Sequence, residues 1–144
     1  MVARAERFGP AAASVFSALS LASALGVATQ ALADDRAPPA LVAMRAAFAA
    51  AAKAKDGAGL AALTAFPLAN DVYGEPRTVA KSAFPGRVSE YAQLAACLAK
   101  EPLTADAETA RTAKLWLVEC DGINFYFGLR DGQWRHVKFA NVNE

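Results

Sequence analysis

The chain has 144 residues, 55% of them hydrophobic, with 15 basic and 14 acidic side chains and a single histidine. That length sets one domain as the default. A formal net charge of +1 and the lack of any basic block exclude nucleic acid and anionic membrane surfaces as expected partners.

The first 33 residues read as an address. Arg4 and Arg7 precede an uncharged stretch from Phe8 to Ala33. Its apolar part, Val15–Val27, is rich in Ala, Ser and Leu, and it ends in Ala31-Leu32-Ala33 before Asp34-Asp35. A positive start, a moderate apolar core and a small-x-small ending describe a secretory signal peptide cut between Ala33 and Asp34. The competing reading, a membrane anchor, needs about 20 strongly apolar residues, and Ser, Thr, Gly and Gln interrupt this stretch. The expected location is periplasmic or secreted, with no membrane span in the mature form. Removing Arg4, Arg7 and Glu6 leaves 13 basic and 13 acidic side chains in the 111 residues from Asp34 to Glu144. In an oxidising compartment the two cysteines, Cys97 and Cys120, predict one disulfide, with two free buried thiols as the alternative.

After a short polar lead, Pro38-Pro39 starts a helix, because proline at the first helical position forfeits no hydrogen bond. Leu41, Arg45, Phe48 and Ala52 recur at helical spacing, alanines fill the intervals, and Asp56-Gly57 ends the run. Gly59–Ala65 reads as a second, short helix with Leu60 and Leu63 inward, stopped by Phe66-Pro67-Leu68. Asn70-Asp71 makes a turn, and Asp71–Lys81 reads as an irregular extended strand whose Pro76 suits an edge. A connector holding Pro85-Gly86 leads to a third helix, about Arg87–Lys100. Val88, Tyr91, Leu94, Ala95 and Leu98 form its apolar stripe, with Cys97 at the flank. Leu103–Thr112 is a polar loop with room for a helical turn.

Three antiparallel strands follow, about 114–120, 123–130 and 133–139, joined at Asp121-Gly122 and Asp131-Gly132. Asp-Gly between alternating apolar runs is a hairpin signal, since a type I′ turn needs positive φ at both central positions. A two-residue first turn pairs Cys120 with Ile123, Val118 with Phe125 and Trp116 with Phe127. One face then carries Trp116, Val118, Cys120, Ile123, Phe125, Phe127 and Leu129. At about 1.5–3 kcal/mol for each large side chain buried, this face demands a cover. The third helix as cover brings Cys97 to Cys120, and the closed loop of roughly 20 residues is worth about 3 kcal/mol. The last strand admits two registers. A tight second turn puts Trp134, His136 and Lys138 on the aromatic face; a bulged loop puts Val137 and Phe139 there. Burying Lys138 costs more, which favours the bulged loop and leaves His136 as a surface residue.

The order helix, helix, strand, helix and three long strands, with the run Phe48…Lys55-Asp56…Leu60-Ala61-Ala62-Leu63…Phe66-Pro67-Leu68, resembles the NTF2-like superfamily over about Pro39–Phe139. The resemblance implies an α+β cone with N-terminal helices packed on a curved antiparallel sheet, α-α-β-α-β-β-β. It also implies a pocket between sheet and helices, and often a homodimer through the outer sheet face. Family enzymes that isomerise or dehydrate small molecules usually place an Asp–His or Tyr–Asp pair in that pocket. Here Asp71 and Glu75 fall in a loop and Glu119 falls on the other face, so no carboxylate joins His136.

His136 and Tyr126 are the weak catalytic candidates, for an isomerase or dehydratase type of enzyme. Tyr91, Trp116, Phe125 and Phe127 are candidates for lining a pocket, although a domain of this size also needs aromatics for its core. One histidine and two bridged cysteines make no metal site, and the chain has neither a Gly-x-Ser-x-Gly elbow nor a phosphate-cradling glycine loop. No cofactor is expected. The leading expectation is a non-enzymatic module binding a small molecule or a protein. An inhibitor or envelope-assembly factor acting through Leu115, Leu117 and Tyr126 is a further alternative.

Overall fold

A computed structural model of the chain describes residues 36–107, 109 and 114–143. The expected signal peptide and its cut at Ala33/Asp34 lie outside the described residues. The described part is an α+β domain: three helices packed on a six-strand mixed, mostly antiparallel sheet.

Helix α1 (Pro39–Lys53) has proline at its start and turns Leu41, Met44, Phe48, Ala49 and Ala52 inward at helical spacing. Arg45 flanks that stripe for a different reason. Its Nη1 donates to the carbonyls of Leu98 (3.0 Å) and Glu101 (2.7 Å), which satisfies acceptors at the end of helix α3 (Val88–Lys100). Helix α2 (Gly57–Ala62) starts two residues earlier than the expected Gly59, because Asp56 caps it by accepting from the Gly59 N–H at 2.9 Å.

The segment after α2 departs most from expectation. Phe66-Pro67-Leu68 reads as a breaker, yet Thr64–Asp71 is strand β1, and Thr78–Val79 is the short β2 beside it. β1 runs parallel to the last strand, β6 (Gln133–Asn141), with Thr64 opposite His136 and Ala69 opposite Lys138. The register shifts between these pairs, and exposed Pro67 sits in that shift. Proline is tolerated where the ladder asks for no donor. A short 3-10 turn, Phe84–Arg87, leads into α3, and β3 (Thr104–Ala105) falls in the expected polar loop, paired with β4 (Trp116–Cys120).

β4, β5 (Ile123–Arg130) and β6 form the expected meander, and the sheet order is β2-β1-β6-β5-β4-β3. Asp121, Gly122, Asp131 and Gly132 all take positive φ, from 51° to 77°, as two type I′ turns require. Trp116, Val118 and Cys120 oppose Phe127, Phe125 and Ile123, as the alternation predicts.

β6 takes neither of the two simple registers. Its turn is tight, so Trp134 opposes Leu129 and His136 opposes Phe127 on the helix-covered face. A shift in register at Val137 then turns Lys138 outward opposite Tyr126 and returns Phe139 inward opposite Phe125. Moving the bulge from the loop into the strand buries both His136 and Phe139 and keeps Lys138 partly exposed, paired with Asp71 at 3.2 Å. Cys97 and Cys120 form a disulfide with Cα atoms 5.9 Å apart, tying α3 to β4 across a separation of 23 residues. Among the described residues no helix is long and apolar enough to cross a membrane.

Candidate functional site

His136 is the middle of the core, not a surface residue; its side chain is 0% exposed. Register is the cause. The alternation that places Phe127 inward places its partner inward too. Aromatic rings enclose the imidazole: Phe48 at 5.2 Å between centroids, Phe127 and Tyr91 at 5.7 Å, Phe125 at 5.8 Å and Phe139 at 6.5 Å. Both ring nitrogens have partners. Nδ1 lies 3.1 Å from the Tyr126 carbonyl, and Nε2 lies 3.0 Å from the Tyr91 hydroxyl. A carbonyl only accepts, so Nδ1 carries the proton, Nε2 is the acceptor, and the Tyr91 hydroxyl donates to it.

Burial pushes the imidazole down from 6.5 to about 4, against the smaller pull of the Tyr126 carbonyl in the other direction. Burial likewise raises the Tyr91 phenol. His136 is therefore neutral at pH 7, and its one basic site is already taken by a hydroxyl. Among the described residues its hydrogen-bond partners include no carboxylate. The side chain of Tyr126 stands on the other face of the sheet, with Lys138 Nζ 5.2 Å from its ring centre and its hydroxyl accepting from Asn124 Nδ2 at 3.4 Å. Only its carbonyl reaches His136, so the two catalytic candidates share no space.

Of the four pocket candidates, Trp116 and Phe127 are buried in the core, while Tyr91 and Phe125 line an opening. That opening is a cavity of about 210 Å3 beside the aromatic cluster. Leu94 and Tyr91 of α3 form one wall, and Ile123, Phe125 and Phe139 of the sheet form the other. Val72 and Glu75 from the β1–β2 loop, with Arg87 and Glu90 at the start of α3, make the rim. Tyr91 belongs to both places, since it bounds the cavity and holds His136.

The rim is a built arrangement. The Arg87 guanidinium lies 4.9 Å above the Phe139 ring centre, pairs with Glu75, and reaches Glu90 at 3.3 Å. Arg87 holds the Glu75 carboxyl below the usual carboxylate range, with Asn70 helping. Buried Asn70 fixes the loop: its Nδ2 donates to Glu75 Oε2 and the Pro76 carbonyl, both at 2.9 Å, and its Oδ1 accepts from the Val72 N–H at 3.2 Å. Sequence reasoning missed Arg87, Glu75 and Glu90. The i,i+3 pair Arg87/Glu90 at a helix start was the visible signal, but Glu75 joins it only through the fold.

The outer face offers less. Leu115, Leu117 and Tyr126 are half-buried. A Cβ placed on Gly128 would lie 2.6 Å from Leu115 Cδ2, so Leu115 is folded down over that glycine. Among the described residues no three His, Cys, Asp or Glu side chains converge as metal ligands. Compared with known families and with curated proteins, the chain matches neither a family model nor a curated relative.

Proposed function

We propose that this chain is an exported binding module of NTF2-like architecture that takes a small apolar molecule into the cavity between α3 and the sheet. The observation that carries the reading is the cavity itself: about 210 Å3, apolar and aromatic in its walls, with its polar groups confined to the rim. Ligand sites have that composition. Binding is favoured over acid–base chemistry because His136 is sealed behind Tyr91, neutral, and without a carboxylate to orient it. The NTF2-like assignment draws on the order of helices and strands and on α1 lying against β6. Export draws on the Arg4/Arg7 start, the uncharged stretch to Ala33 and a disulfide within the domain that follows.

The test is an NMR titration of the purified protein with 2-phenylethanol. Shifts centred on Tyr91, Leu94, Ile123, Phe125 and Phe139, lost in Leu94→Trp, support the reading. Shifts scattered over the surface, or none at millimolar ligand, overturn it. N-terminal sequencing of the exported protein checks the address, with Asp34 expected as the first residue.

A further inference from the structure

We infer that the cavity between α3 and the sheet selects a protonated amine carried on an apolar or aromatic body. The inference rests on the reading of that cavity as a ligand site and adds the charge of the ligand. Its basis is the inventory of polar groups that a guest would meet. Glu75 and Glu90 are two carboxylates against the single guanidinium of Arg87, so the rim carries an excess negative charge. Arg87, the one cationic side chain among the described residues lining the cavity, is engaged by both carboxylates and by the face of Phe139. Tyr91 spends its proton on His136 Nε2, so the wall it forms offers a guest no hydroxyl donor.

The start of α3 does not reverse this balance. The 3-10 turn runs directly into the helix, the Val88 N–H already bonds the Pro85 carbonyl, and Glu90 occupies the first turn. The remaining walls reinforce it. Phe125 and Phe139 make this wall aromatic, and Phe139 already carries a cation of the protein's own, Arg87, over its ring. A donor-bearing cation therefore finds carboxylate acceptors and an aromatic wall here. A carboxylate finds two carboxylates and a guanidinium that is already paired.

Three probes of matched shape test the inference on the purified protein: 2-phenylethylamine, 2-phenylethanol and phenylacetate, each titrated by NMR at pH 7 and low salt. The amine is expected to bind about tenfold more tightly than the alcohol, as a partly exposed ion pair and a cation–ring contact together supply. Phenylacetate is expected to bind most weakly. Glu90→Gln should cut the amine's advantage over the alcohol several-fold, and added salt should do the same. Equal binding of amine and alcohol overturns the amine preference and leaves the binding module standing. Tighter binding of phenylacetate reverses the sign of the site and overturns it as well. No shift at these residues with any of the three overturns both readings. Because the wild-type shifts alone discriminate these outcomes, the test does not depend on a variant folding.

Discussion

His136 and Arg87 lie on the same side of β6 and face the same aromatic cluster, and the fold treats them in opposite ways. The histidine sits between Phe48, Phe125 and Phe127, loses its charge, and keeps two hydrogen bonds. The arginine sits one step outward over Phe139, keeps its charge, and meets two carboxylates with a side chain 19% exposed. Depth decides between the two solutions. A titratable group far from water is cheapest when neutral, whereas one near water can stay charged if it is paired. The lesson for function is that the residue richest in chemical promise is the one the fold has made structural. On the proposed reading, recognition falls to the rim.

The largest expected effect breaks the sealed region. Phe48 touches His136, Tyr91 and Phe127 edge-on or tilted, so Phe48→Ala should cost about 3–5 kcal/mol in denaturant unfolding. A loss below 1 kcal/mol would mean the cluster is not packed as described.

Acid should find the same region. Unfolded, the histidine takes up a proton near pH 6.5, and folded only near pH 4. The unfolded chain thus binds more protons between those values, so stability is constant above the window and falls as the pH drops through it, by about 3 kcal/mol in all. Unfolding curves at pH 7 and pH 4.5 measure the drop. His136→Leu should flatten it, and a wild-type curve already flat there would place the imidazole in water.

Tyr91→Phe probes the residue shared by both regions. It leaves Nε2 of His136 buried without a donor, at an expected cost of about 1–3 kcal/mol, while the ring that lines the cavity remains. The smallest effect belongs to the rim. Glu75→Gln weakens a partly exposed ion pair worth about 1 kcal/mol or less. Its expected signature is local: faster amide hydrogen exchange at Val72, whose N–H is held by Asn70, with little change in global stability.

By itself the sequence determined what short-range chemistry decides. The Asp121-Gly122 pair set the first tight turn, and the alternation set which residues of β4 and β5 face the helices, whereas at Asp131-Gly132 the sequence favoured a bulged loop that the structure replaces with a tight turn. From that face and the stripe of α3 the Cys97–Cys120 bridge follows, because covering the aromatic face brings the two sulfurs together. The α1 span was legible for the same reason: helix period and end signals are local. Tertiary structure alone decided the rest. β1 carries a proline and no clear alternation, and it is a strand because β6 offers a parallel edge some seventy residues later. The bulge at Val137 resolves a conflict between His136, Phe139 and Lys138 that no turn signal encodes. The site depends on that resolution. His136 is buried, Phe139 reaches Arg87, and Glu75 closes the rim only because strands distant in sequence share one sheet, and such pairing leaves no periodic mark on the chain.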